Sequence, residues 1–310
     1  FIFIIFVIVM LIFIIAAVIV FSDSGVVFEN GRTIKGKEVT PFREIPCNKD
    51  IFLFYYLAKK LGIISGDESR ENLVSGFILK WVRDGIITIR ENESGAIVKK
   101  KNYDMYLDVD AKFENKQETA LYKMFILASK EGVLQTKAFQ KWCSKHYKKI
   151  DDWFTKVDNV TEDSMNKNGY AKTKIIYKRF LFWNIPHDRT VWTDKAYDQC
   201  LYVWGFNNFL EDEDNMKEKA AIEVKLWDEY LIFAAVLGIA DRVEKQLKVA
   251  IPRYEETSTY NNFPIYYYTH TFAHNSMSAA SSAASAGQGG SSSFSGGGGG
   301  FSGGGGGGVR

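Results

Sequence analysis

The first 21 residues, FIFIIFVIVMLIFIIAAVIVF, constrain the fold of this chain most strongly because they contain no charge, proline, glycine or amide side chain. With a rise of about 1.5 Å per residue, a helix of this length spans about 30 Å, which matches the hydrocarbon core of a bilayer. A signal peptide is typically shorter and ends at a small-x-small site, whereas Ala16 and Ala17 are followed by more apolar residues. The sequence therefore predicts a single transmembrane helix at residues 1–21.

Charge and cysteine content indicate which partners and which compartment to expect for the remaining chain. Lys and Arg number 39 against 37 Asp and Glu, so no global field favours nucleic acid. Cys47, Cys143 and Cys200 are far apart and form no CxxC pair, which indicates neither a disulfide framework nor a zinc site. Free thiols are typical of a reducing compartment, and the basic residues of the connector at 22–45 favour the inside of the membrane. We therefore expect a single-pass protein whose C-terminal part is cytoplasmic.

Residues 46–112 show the order helix, helix, hairpin. Leu73, Phe77 and Trp81 recur every four residues, which gives one apolar helical stripe, and Gly62 is placed to end the preceding helix. Alternating residues after Gly85 then predict two short strands. This order is typical of a winged-helix-like module.

The rest of the chain divides into three further segments. Residues 113–192 predict a second helical module with a small sheet, and residues 193–252 predict a C-terminal helical pair with Gly238 inside its second helical pattern. From 253 to 310 a Tyr/His-rich strip leads into a Ser/Gly-rich end that cannot bury enough surface to offset its ordering entropy. The predicted fold is mainly α with small β hairpins, one N-terminal transmembrane helix, winged-helix-like modules, a C-terminal helical pair and a disordered Gly-rich tail.

Several short motifs resemble one known family. They are RENLVSGFILKWVRDGIITI from residue 70, Gly205-Phe206, Phe209-Leu210, the run LWDEYL from residue 226, and LGIA from residue 237. With the apolar span and the Gly-rich end, they resemble the bacterial predicted membrane proteins of domain-of-unknown-function family 2207. The resemblance implies a bacterial cell membrane location, a cytoplasmic C-terminal half and a β-rich extracytoplasmic domain before the span. It implies no activity and no catalytic residues.

Catalytic and metal-binding motifs give no support for an enzyme. The sequence has no Walker loop and no HExxH, and its GxSxG match at 300–304 lies in the low-complexity tail, where no strand-turn-helix can hold a nucleophile. His270 and His274 are four residues apart and could share a helical face as metal ligands. Pro264 and the following tail argue against a stable helix there. We therefore expect no catalytic residues, no cofactor and no metal site.

A lysine stripe is the candidate binding site. Lys137, Lys141, Lys145 and Lys148 fall on one helical face, and Lys149 adjoins them. Such a stripe can contact the phosphates of nucleic acid or anionic lipid head groups, and it can equally be a solvated helix face. The sequence leaves these three interpretations open and ranks the solvated face first. It ranks lipid above nucleic acid, because a span at 1–21 would keep the stripe near the membrane.

The function hypotheses follow from these features. The first is a membrane-anchored cytoplasmic interaction or scaffold protein, whose partners are the bilayer, its anionic head groups and an unknown protein. The alternative is a membrane-tethered winged-helix regulator that binds nucleic acid through a helix carrying Arg70, Lys80 and Arg83. Neighbouring acidic residues offset those charges, so nucleic acid is disfavoured as a partner.

Overall fold

The computed structural model describes residues 25–94, 100–180, 183–212, 224–250, 260 and 265–288. The predicted transmembrane helix at 1–21 and the Gly-rich end from residue 289 lie outside these residues. In the part of the chain that is described, no helix is long and apolar enough to cross a membrane.

The described chain is mainly helical, with two small antiparallel sheets, as the sequence predicts. The elements in chain order are α1 (Ile51–Lys60), α2 (Glu68–Arg83), β1 (Ile87–Ser94), β2 (Lys100–Leu107), α3 (Lys116–Ala128), β3 (Val133–Gln135), α4 (Thr136–Lys145), α5 (Tyr147–Lys167), β4 (Ala171–Phe180), β5 (Trp183–Trp192), α6 (Asp194–Glu211), α7 (Val224–Leu237), α8 (Ala240–Ala250) and α9 (Ile265–Gln288). Their buried apolar residues form one continuous core.

The start and end of α1 show how local sequence sets the helix boundaries. Asp50 Oδ1 accepts hydrogen bonds from the backbone N–H groups of Phe52 (2.9 Å) and Leu53 (3.2 Å), which satisfies donors that have no partner within the helix. Beyond the last turn, Gly62 has φ +72° and donates its N–H to the carbonyl of Lys59 at 3.1 Å. The predicted role of Gly62 as the glycine that ends α1 is confirmed.

The first sheet joins residues on both sides of the predicted module boundary at 112. Its strand order is β1-β2-β3, and Met105 of β2 pairs with Leu134 of β3. The helix–helix–hairpin order predicted for 46–112 is present, but the third strand comes from the segment predicted to belong to a second module. The winged-helix interpretation and the boundary at 112 stay predictions.

Two glycines in the motifs that resemble the membrane protein family lie where the local geometry favours glycine. A Cβ on Gly205 would lie 2.8 Å from both Phe42 Cβ and the carbonyl oxygen of Thr40, so only glycine fits where α6 meets the connector. Gly238 has φ +77°, and it separates α7 from α8 within what the sequence suggests is one long helical pattern. These motif positions therefore have a packing role.

The prediction of a disordered tail from residue 253 is wrong for residues 265–288. These residues form α9, in which Phe272 and Ala273 are buried against the core. The ring of Phe272 lies 5.2 Å from that of Phe139 and 5.8 Å from that of Phe125. The composition suggests disorder because the segment is rich in Ser and Ala. However, its buried residues recur at helical spacing, and small side chains let α9 pack closely on α2 and α4.

The second sheet is a hairpin whose base is held by the start of the described chain. Trp192 of β5 donates its N–H to the carbonyl of Val27 and accepts a hydrogen bond from the N–H of Glu29, both at 2.8 Å. The ring of Phe28 meets the ring of Trp192 edge to face at 6.1 Å. The chain that emerges from the predicted membrane span is therefore attached to the hairpin β4–β5.

Candidate functional site

The lysine stripe lies where α4 turns into α5. Phe139 and Cys143 of α4 are fully buried, and the opposite side of the helix carries the exposed Lys137, Lys141 and Lys145. This division follows from the helical repeat, since residues at positions i, i+4 and i+8 share a face. The remaining predicted residues, Lys148 and Lys149, are exposed in the first turn of α5.

His146 fixes the corner between the two helices. Its backbone N–H donates to the carbonyls of Trp142 at 2.9 Å and Cys143 at 3.2 Å. Its imidazole stacks on the Trp142 indole with a centroid separation of 4.5 Å. The corner therefore keeps the lysines of α4 and α5 in one surface region, which we call the lysine face (Lys137, Lys141, Lys145, Lys148 and Lys149).

The lysine face is electrostatically unbalanced. Among the described residues its five ammonium groups form no ion pair, whereas lysines elsewhere do, for example Lys59 with Asp158 at 2.6 Å. The first turn of α5 carries no acidic residue. The positive end of the helix dipole lies there, and helices usually place carboxylates rather than lysines at this end. An anion bound to the lysine face would remove this unfavourable concentration of positive charge.

A groove adjoins the lysine face between α3 and α5. It has a volume of about 780 Å³ and shares Lys149 with the face. Met124 and Trp153 contribute apolar surface, while charged residues of both signs line the rest of the groove. The lining consists of Glu114, Asn115, Lys116, Gln117, Ala120, Met124, Lys149, Asp152, Trp153, Lys156 and Val160.

The basic residues of α2, which the alternative hypothesis assigns to nucleic acid, are held by carboxylates. Arg70 binds Asp151 at 2.7 Å, and Lys80 binds Glu118 at 2.6 Å. Arg83 binds Asp84 at 2.9 Å and also Glu229 at 3.5 Å. A phosphate backbone would have to compete with these carboxylates for each cation, so the structure offers no free basic helix at this position.

The cysteines are buried in the core and have no nucleophilic character. Burial raises the pKa of the Cys143 thiol to about 12 and also raises the pKa of Cys47 and Cys200. The thiolate is the reactive form, so these side chains behave as small core residues. For the same reason, labelling the native cysteines cannot report on which side of the membrane the folded part lies.

The structure brings His270 and His274 onto one face of α9, contrary to the expectation that no stable helix forms there. Their rings are nearly parallel with centroids 6.4 Å apart, and His274 Nδ1 lies 2.8 Å from Glu71 Oε2. Across the described residues, no group of three or more His, Cys, Asp or Glu side chains is arranged to hold a metal ion. His274 therefore links α9 to α2 through Glu71.

Residues 175–247 match the family model described as "Predicted membrane protein (DUF2207) C-terminal domain". The match runs from β4 into α8, and for these residues it confirms the family resemblance drawn from the sequence. The family description supports a membrane location. Neither a curated protein nor a solved structure matches the chain.

Proposed function

We propose that this chain is a membrane-anchored interaction protein that contacts anionic lipid head groups through its lysine face. Residues 1–21 supply the anchor, and the folded part lies on the cytoplasmic side. The observation that carries the proposal is the set of five exposed lysines without an ion-pair partner among the described residues. A lysine close to an anionic leaflet contributes about 1 kcal/mol of attraction, so five lysines give a substantial but salt-sensitive contact.

The distance from the anchor is compatible with this contact. The lysine face lies at the N-terminal end of α5, and the hairpin to which the membrane-proximal segment is attached follows its C-terminal end. The 21 residues of α5 span about 30 Å. A helix of this length can lie along the leaflet, so that the anchor and the lysine face meet the same membrane surface.

Lysine protection in vesicles tests the proposal on the full chain. The chain is reconstituted in phosphatidylcholine vesicles with and without phosphatidylglycerol, treated with a membrane-impermeant acetylating reagent, and analysed residue by residue by mass spectrometry. We expect the lysine face to react more slowly when phosphatidylglycerol is present and the difference to disappear at high salt. Lys123 and Lys130, which are exposed outside the lysine face, serve as internal controls. Equal acetylation rates of the lysine face in both vesicles would contradict the lipid contact.

A charge variant provides a second control. The readout is the protection of His146, at the same corner, from an alkylating reagent. Replacing the five lysines of the face by Gln should abolish the dependence of this protection on phosphatidylglycerol. The matched variant Lys123→Gln/Lys130→Gln should keep that dependence, because it removes charge from α3 and its end without touching the face.

A further inference from the structure

The hairpin β4–β5 extends away from the core that supports the rest of the fold. At its base, Ala171 and Trp192 pair with each other and are both 5% exposed. Further along β4, Ile175 and Tyr177 are 65% and 71% exposed. At about 3.3 Å per residue, Tyr177 lies about 20 Å from the base along the strand. Two large apolar side chains are thus held in solvent on an extended two-stranded arm.

The two faces of this arm differ in chemistry. Ile175 and Tyr177 are two residues apart in a strand and therefore share one face. Lys172 and Lys174 lie on the other face and are also exposed. Lys174 pairs directly with Arg189 of β5, and like charges in this relationship destabilise an isolated hairpin. Ile175 and Tyr177 of β4 thus share one face with their partners Asp188 and Pro186 of β5, while Lys172 and Lys174 lie on the other face.

The position of the arm is set by the segment that leads to the proposed anchor. Val27 and Glu29 hydrogen-bond to Trp192 at the hairpin base, and Glu29 also pairs with Lys172. From residue 21 to Val27 the chain advances by six residues, and a fully extended chain of that length spans at most about 22 Å. If residues 1–21 cross the membrane, the base of the arm lies within this distance of the bilayer surface.

We propose that the arm β4–β5 rests in the interfacial layer of the bilayer, with Ile175 and Tyr177 among the head groups and upper acyl chains. This inference rests on the proposed membrane anchor. Tyrosine favours the membrane–water interface because its ring is apolar and its hydroxyl is polar, and lysine can keep its ammonium group at the phosphates. The lipid bilayer is thus the partner that contacts this face. Residues 181 and 182 lie outside the described part of the chain.

The test places a probe on the arm of the full-length chain. Ile175→Cys and Tyr177→Cys are each labelled with a nitroxide, which the buried native thiols do not compete for. The chains are reconstituted in zwitterionic phosphatidylcholine vesicles, where no anionic lipid can engage the lysine face. Leu127→Cys on α3 is the matched control, since Leu127 is 66% exposed and lies outside the arm. The readout is nitroxide accessibility to oxygen, which partitions into lipid, against a water-soluble nickel chelate.

The expected result is that labels at 175 and 177 lose accessibility to the nickel chelate and gain accessibility to oxygen, while the label at 127 stays accessible to the chelate. If the labels at 175 and 177 are as accessible to the nickel chelate and to oxygen as the label at 127, the inference is overturned. Lysine protection by phosphatidylglycerol could still hold in that case, so the two failures are distinguishable. A chain that does not remain with the vesicles would overturn both proposals, because the anchor would be missing.

Discussion

Trp81 Nε1 donates a hydrogen bond of 2.9 Å to Glu118 Oε1, and both side chains are buried. The same carboxylate oxygen accepts from Lys80 Nζ at 2.6 Å. This contact joins the end of α2 to the first turn of α3. It supplies the polar partner that an indole N–H needs in a core, and a charge-assisted bond is stronger than a neutral one. The segments before and after residue 112 therefore share one network at this point.

We expect Trp81→Ala to lower the free energy of unfolding by about 3–5 kcal/mol, as other large core deletions do. The indole packs on the rings of Tyr122 at 4.9 Å and Phe125 at 5.2 Å, so its loss leaves a cavity between α2 and α3. Denaturant titration of the full chain in detergent measures the change. Tyr267→Ala, at a 70% exposed position outside the arm, is the control and should change stability by less than about 0.5 kcal/mol. Equal effects of the two substitutions would show that Trp81 is not a core residue.

We expect Gly76→Ala to destabilise the fold by about 1–3 kcal/mol, because the new Cβ would lie 2.7 Å from Val236 Cγ2 across the α2–α7 contact. Without this clash, an alanine in a helix is favoured over glycine by about 1 kcal/mol. The Val236→Ala background removes Cγ2, so Gly76→Ala should cost much less there. A double-mutant cycle by denaturant titration gives the coupling. The same cost in both backgrounds would place the strain elsewhere, for example at the carbonyl of Ile232, 3.3 Å away.

We expect the fold to lose stability above about pH 9 through its buried thiols. The pKa of Cys143 rises from 9.0 to about 12 on folding, so the unfolded chain releases this proton first. Below the pKa of the thiol in the unfolded chain, its contribution to the free energy of unfolding is fully present. As pH rises from 9 to 12, this contribution falls by at most about 1.4 kcal/mol per pH unit. Unfolding free energies of the native chain and Cys143→Ala at about pH 8 and about pH 10.5 provide the test. An identical pH slope for both chains would contradict it.

Local periodicity predicted the helical core well because it depends on neighbours in sequence. Leu73, Phe77 and Trp81 form a buried stripe as expected, and the strand that begins near Ala171 pairs with Trp192. The pairing of Met105 with Leu134 could not be predicted in the same way, because these residues are far apart in sequence and local periodicity does not show which strands pair.

The candidate site was predictable only in part. Lysines at helical spacing indicate an exposed face, and the structure places Lys137, Lys141 and Lys145 on one. The sequence gives no means of knowing that their ammonium groups form no ion pair among the described residues, because that depends on carboxylates from other elements. The exposure of Ile175 and Tyr177 was missed for a related reason: apolar residues in a strand normally indicate a buried face.

Helix α9 provides the sharpest test of the corrected C-terminal boundary. Phe272 is 1% exposed and lies among the rings of Phe125 and Phe139, so Phe272→Ala should cost about 3–5 kcal/mol and lower the thermal midpoint of the whole fold. Tyr267→Ala on the same helix removes a ring that is 70% exposed and should change stability by less than about 0.5 kcal/mol. Both variants place alanine in the same helix, so the difference between their free energies of unfolding reports the burial of the ring that is removed. If the two alanine variants unfold together with the native chain, residues 265–288 do not pack on the core, and the composition-based prediction of disorder would be correct.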